Sequence, residues 1–173
     1  MTDTIIISII MTIIGASTPI LLAALGELVV EKSGVLNLGI EGMMLIGAVT
    51  GFAVTSITGY PLLGIFAAMI AATLSSLLFG YLTLSLTANQ VSTGLALTIF
   101  GIGLSSLMGE GYVGKTIEIF GSWFPTSLVE HPYLRVIFGY SPIVYFSLFM
   151  TIAVGYFLNK TRAGLILRAV GES

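Results

Sequence analysis

Residues 42–109, a run of 68, contain no Asp, Glu, Lys or Arg. In a soluble domain about one residue in four is charged, so a stretch this long without charge has no place on a water-exposed surface. A helix needs about 20 apolar residues to cross the hydrocarbon of a bilayer, so the run has room for three spans. Residues 4–26 and 136–159 are also free of charge, and each has room for one more. Charged residues make up 8% of the chain, hydrophobic residues 56%, and the mean hydropathy is +1.08. These figures exclude an ordinary soluble fold, a nucleic-acid binder and a disordered tail. The first run does not read as a secretory signal, because Asp3 stands where a basic residue belongs. The expected fold is all-α: a polytopic integral membrane bundle of about five transmembrane helices.

The expected spans are Thr4–Leu25, Gly42–Thr58, Leu62–Leu84, Val91–Met108 and a fifth from Ser141-Pro142 to Leu158. Pro61 ends one helix and opens the next, because the residue before a proline is disfavoured in helical conformation. Ser141-Pro142 reads as a capping residue followed by a proline suited to the first turn. Residues 87–90 form a weaker break, and a loop covers 110–135. With five spans, Lys32, Lys160, Arg162 and Arg168 fall on one side and Lys115 and Arg135 on the other. The excess of basic residues marks the cytoplasmic side, which places the N-terminus outside and the tail inside. Trp123, Tyr133 and Tyr140 suit an outer aromatic belt.

The spans carry small residues at helical spacing. Gln90, Gly94, Thr98, Gly101 and Ser105 share a face of the fourth span, Gly64, Ala68, Ala71 and Ser75 a face of the third, and Gly47 and Gly51 form a GxxxG pair. Within lipid, helices gain little from apolar burial, and small residues allow the close approach that packing needs. The fourth-span stripe also offers hydrogen-bonding groups to a path. Residues 109–116 fit the pattern GxxxxGK[ST], and their glycines fit GxGxxG. Both motifs need a preceding strand, and here an apolar span precedes, so nucleotide binding at this run is rejected. The chain has no cysteine and one histidine, His131, in the loop; no metal cluster and no catalytic grouping is expected, and the chain is not read as an enzyme.

Two segments carry more. Residues 26–44 are polar and punctuated by Gly34, Gly39 and Gly42, which favours a broken or re-entrant helix. Such backbone is tolerated at membrane depth only where protein buries it or a water-filled cavity adjoins it. Asn37 and Glu41 are four apart and share a face if helical. The candidate path residues are Asn37, Glu41, Asn89, Gln90, Thr98 and Ser105, weighed against a plain cytoplasmic turn and plain packing. The tail, 159–173, places Leu165, Ile166, Ala169 and Val170 on one face of a short helix flanked by Arg162 and Arg168. It reads either as a surface helix snorkelling its basic groups or as a docking helix for a partner.

The runs GVLNLGIEGMMLIGA (34–48), NQVSTGLALTIFGIG (89–103) and TRAGLILRAVGE (161–172) resemble the permease subunits of ABC importers for simple sugars, nucleosides and branched-chain amino acids. The resemblance is strongest to the nucleoside and simple-sugar branch and covers essentially the whole chain. It implies a permease domain over 1–173 in the cell membrane with a broken second helix, and no cofactor of its own, ATP being bound by a partner. The implied partners are a cytoplasmic ABC ATPase subunit, an extracytoplasmic substrate-binding protein and a second permease subunit, as homo- or heterodimer. By the same resemblance the tail is the ATPase-coupling element, with Arg162, Gly164, Leu165, Arg168, Gly171 and Glu172 as its contact residues. Family members continue past this segment, so the resemblance implies a partial, C-terminally truncated domain. Rival readings are an ion-coupled secondary transporter, a non-transporting assembly subunit and a membrane-embedded enzyme. The last would need clustered acids, His or Ser–Lys pairs within spans.

Overall fold

The computed structural model describes residues 2–117, 120–121, 124 and 132–172. Trp123, His131, Ser173 and the Tyr133 side chain, which bear on the belt, loop and tail expectations, lie outside the described residues.

The helices in chain order are α1 (Thr2–Glu31), α2 (Ile40–Thr58), α3 (Pro61–Gly80), α4 (Gln90–Gly109), α5 (Pro132–Phe138), α6 (Pro142–Lys160) and α7 (Arg162–Gly171). A π-helical turn, Tyr81–Ser85, extends α3, and a 3-10 turn, Glu110–Tyr112, extends α4. No strand occurs among the described residues. Five stretches are long and apolar enough to cross a membrane: Ile5–Glu31, Ile40–Thr58, Pro61–Ser85, Gln90–Tyr112 and Pro142–Lys160. Their outer faces carry large apolar side chains such as Ile99, Leu107 and Ile152, each more than 70% exposed. Lipid accepts such a surface and water does not. The all-α, five-span expectation is met.

The helix ends follow from local chemistry. Pro61 and Pro142 each sit in the first turn, where the missing N–H is no loss. Ser141 was expected to cap α6 with its side chain. It makes no such bond, and its carbonyl instead accepts from Val144 N–H at 3.1 Å. Gly59, at φ +72°, closes α2 with its N–H on the Thr55 carbonyl at 2.8 Å. The first span runs beyond Leu25 to Glu31, because Gly26 alone does not stop a helix whose next five residues all tolerate it. The interruption expected over 26–44 is confined to Lys32–Gly39, and α2 is continuous through Gly42.

The chain divides into two compact units. One comprises residues 1–34 and 120–173, in which α1 packs on α6 and α5, and α7 packs on α6. The Tyr145 hydroxyl ties α6 to α5 by donating to the Ile137 carbonyl at 2.7 Å. The other unit comprises residues 35–119, with α2 in the middle, packed on α3 and α4. The α2–α3 crossing is made by Gly47 and Gly51 against Gly64 and Ala68. A Cβ on Gly51 would lie 3.1 Å from both the Ala68 Cβ and the Gly64 carbonyl oxygen.

Candidate functional site

An extended segment leaves its backbone N–H and C=O groups without the partners a helix provides, and each must be satisfied elsewhere. In residues 35–39 the face of α4 does this. Gln90 Oε1 accepts from Leu36 N–H at 2.8 Å, and the Thr98 hydroxyl donates to the Leu38 carbonyl at 2.9 Å. Asn37 is 6% exposed and folds back on its own turn, its Oδ1 accepting from Gly39 N–H at 3.0 Å. Its amide nitrogen lies 3.8 Å from Met43 Sδ. Between Gln90 and Thr98, Gly94 clears the way: a Cβ there would stand 2.9 Å from Leu38 N and 3.0 Å from Gly39 N. One turn further, α2 and α4 cross backbone to backbone, since a Cβ on Gly101 would meet Gly42 Cα at 2.5 Å. Met43, Leu97 and Phe79 form the apolar core behind this clamp, with Val35 packed against them.

The fourth-span stripe therefore faces the 35–42 segment, and its polar members hold backbone. The structure brings together Asn37, Gln90 and Thr98 and leaves the other three candidates apart. Asn89 is the N-cap of α4, its Oδ1 accepting from Ser92 N–H at 3.0 Å. Glu41 lies exposed in the first turn of α2, where the helix dipole favours an acid. Ser105 donates to the Ile102 carbonyl of its own helix at 3.1 Å. Sequence reasoning missed that Gly42 and Gly101 oppose each other. The signal was present, since each lies one turn beyond a residue of the clamp. It also missed the π-helical turn, where the buried Thr83 hydroxyl donates to the Phe79 carbonyl at 2.8 Å.

At the other end of the chain, Thr161 separates α6 from α7 by adopting extended backbone, φ −102° and ψ 149°. Its hydroxyl accepts from Gly164 N–H at 3.1 Å and donates to the Phe157 carbonyl at 2.7 Å, which caps α7 and fixes it to α6. Gly164 is buried, and a Cβ there would stand 2.8 Å from Leu158 Cα. Gly164, Arg168 and Gly171 lie four and three apart and share the inward face. Arg168 donates to Asn159 Oδ1 at 3.2 Å and sits 4.0 Å from Glu172, a surface pair worth about 0–1 kcal/mol. Leu165, Ile166, Ala169 and Val170 point outward; Ile166 is 65% and Val170 63% exposed. Arg162 and Glu172 are exposed too. Of the six coupling candidates, Gly164 and Gly171 touch the chain's own backbone, Arg168 is half-buried, and Arg162, Leu165 and Glu172 are exposed, Glu172 beside Arg168.

The P-loop-like run begins at the last residue of α4 and continues through the 3-10 turn. The strand and following helix that a phosphate cradle requires are absent around it among the described residues.

Residues 9–173 match the family described as branched-chain amino acid transport system / permease component. The chain belongs to this family. TsgC13 of Haloferax volcanii, whose name assigns it to a glucose ABC transporter, is 41% identical over 91% of the chain and 49% of its own length. The guanosine ABC transporter permease protein NupQ of Bacillus subtilis is 34% identical over 90% of the chain and 53% of its own length. The nucleoside ABC transporter permease protein NupC of Lactococcus lactis is 30% identical over 91% of the chain and 53% of its own length. The chain thus spans about half the length of the curated relatives it matches. No solved structure matches it. With five helices fit to span and membership in a permease family, the permease is a multi-pass protein of the cell membrane.

Proposed function

We propose that this permease is the membrane subunit of an ATP-binding cassette importer that carries a nucleoside or simple sugar across the cell membrane. A cytoplasmic ATPase drives it, an extracytoplasmic binding protein delivers cargo, and a second permease subunit completes the pathway. The observation that carries this reading is α7, a short helix whose apolar face points away from the chain while both its ends are fixed to it. A helix so placed can receive a push and pass it on without bending. The cargo class rests on the names of the relatives and on the absence of charge over residues 42–109, which suits a neutral solute. ATP binding and hydrolysis in the partner displace α7, and the packed helices switch between outward and inward openings. The permease performs no covalent chemistry.

The test is uptake of labelled guanosine, uridine and glucose by cells with and without the gene. Uptake of one of them is expected to fall on deletion, to require ATP and to resist a protonophore. Uptake that collapses with the protonophore instead identifies an ion-coupled transporter. Unchanged uptake of all three identifies a subunit that does not carry these solutes.

A further inference from the structure

The inward face of α7 meets the chain's own backbone at Gly164 and again at Gly171, and the first of these is at its junction with α6. The second is at the far end of the helix. There Gly171 lies against the C-terminal turn of α1: a Cβ on Gly171 would stand 2.8 Å from Gly34 N and 2.9 Å from the Ser33 carbonyl carbon. Conversely, a Cβ on Gly34 would stand 3.1 Å from Gly171 Cα. Gly34 has φ +85°, a backbone conformation that L side chains rarely adopt. The turn around it is tightly closed. Lys32 N–H donates to the Leu28 carbonyl at 3.1 Å, Ser33 N–H to Val30 at 3.0 Å and Gly34 N–H to Glu31 at 2.9 Å. The Ser33 hydroxyl adds a bond to the Val30 carbonyl at 2.6 Å.

We infer that Gly34 and Gly171 form a transmission joint, a pair of positioning residues through which α7 moves the 35–39 segment. This rests on the reading of α7 as the ATPase-facing helix. Three features support it. The contact is backbone on backbone, so no side chain can change rotamer to absorb a displacement of an ångström. The turn that receives the push is held by its own hydrogen bonds and so moves as a piece. From Gly34 the push has one peptide bond to travel to Val35, and the next residues are attached to α4 by the Leu36–Gln90 and Leu38–Thr98 bonds. A load on Leu165, Ile166, Ala169 and Val170 is therefore delivered at two points. Gly164 delivers it to α6, and Gly171 delivers it to the turn that leads into the clamp.

The joint is tested in the complete transporter, with its ATPase and binding protein, reconstituted in proteoliposomes. Gly171→Ala wedges the contact directly. Gly34→Asn does so from the other side, with a residue that tolerates positive φ. Gly155→Ala, with no neighbour within 4 Å of its added Cβ among the described residues, is the control. Both wedge variants are expected to co-purify with the ATPase and to keep the basal rate of ATP hydrolysis. The increase caused by loaded binding protein, and uptake with it, should fall by about 2- to 30-fold, the range found for substitutions along coupling paths. The control should keep both. Stimulation and uptake left intact in both wedge variants would overturn the joint. Should Gly171→Ala fail to fold, Gly34→Asn alone decides. Wedge variants that lose the ATPase would show the glycines to be part of the docking surface and overturn the joint as well. Unmodified chain that recruits no ATPase removes the reading of α7 itself, a failure distinguishable from that of the joint.

Discussion

Gly101→Ala measures what the α2–α4 crossing contributes. The added Cβ would stand 2.5 Å from Gly42 Cα and 2.6 Å from Gly42 O, where ordinary contact begins near 3.4 Å. The two backbones must part by about 1 Å for carbon and oxygen to reach ordinary van der Waals separation. The Thr98–Leu38 bond, 2.9 Å long and one turn away, lies on the same face and opens to beyond hydrogen-bonding distance. Overpacking costs about 1–3 kcal/mol, and a hydrogen bond within the membrane adds about 0.6 kcal/mol. Alanine's better helix propensity offsets up to about 1 kcal/mol. The net expectation is a loss of about 1–3 kcal/mol, read by SDS titration of the purified chain in mixed micelles and followed by far-UV circular dichroism. Gly103→Ala, two residues along on a face with nothing within 4 Å of the added Cβ among the described residues, has the propensity gain without the clash and should be neutral or stabilised. Equal midpoints for the two variants would refute the crossing as the fixed point of residues 35–119.

Thr161→Ala removes the α7 cap and its bond to Phe157; about 1 kcal/mol of local stability is lost, and hydrogen exchange at Gly164 and Leu165 should quicken while α4 amides hold their rates. Ile166→Glu changes an exposed side chain, so the melting midpoint should stay within about 0.5 kcal/mol of the parent, while recovery of the ATPase on affinity purification falls sharply; full recovery would discard the outward face as the docking surface. Tyr140→Phe removes a buried hydroxyl with no hydrogen-bond partner among the described residues, a gain of about 1 kcal/mol. Burial, then the neighbouring Tyr145, push the Tyr140 phenol above its ordinary 10.0. Its folded form therefore binds the proton more tightly, and the parent should lose stability as pH rises beyond that value, a loss Tyr140→Phe lacks. For topology, Val113→Cys should react with an impermeant thiol reagent from outside and Glu172→Cys should not, in a chain with no native cysteine; the reverse labelling would invert the orientation.

The five spans were legible because absence of charge over about 20 residues has one stable outcome in lipid, whatever the sequence detail. Their ends were less so. Nothing before Lys32 forbids helix, so α1 ran past the first acids, and the break appeared where Gly34 at positive φ made it unavoidable. The tail helix was legible from its apolar spacing, but the direction of its apolar face was not. Leu165 and Ile166 could have faced inward, and it is Gly164 and Gly171, the residues able to approach backbone closely, that decide which side packs. The candidate path residues were chosen by one criterion, hydrogen-bonding groups at helical spacing. That criterion cannot distinguish Gln90, which serves the Leu36 amide, from Ser105, which satisfies itself on its own helix. The distinction depends on which extended backbone lies opposite, and a periodic stripe does not reveal its partner.

A transporter needs one part that stays rigid and another that has two places to be, and the two kinds of contact in residues 35–119 differ in the sense required. The glycine crossings of α2 with α3 and with α4 allow no intermediate: backbones already in contact can only separate, and separation forfeits packing along the whole crossing. The clamp on residues 35–39 is held differently, by two hydrogen bonds worth about 0.6 kcal/mol each in a membrane setting. Their side-chain ends, Gln90 and Thr98, can rotate, and the exchange is cheap only where water or a solute hydroxyl takes over the Leu36 N–H and the Leu38 carbonyl they release. On the coupling proposed above, a modest push entering at Gly34 exchanges these bonds while α2, α3 and α4 keep their mutual positions. On this account Gln90→Leu and Thr98→Val release the segment without unfolding the three helices, and so uncouple motion from stability. Equal losses of stability and uptake in both variants would show the clamp to be part of the rigid block instead.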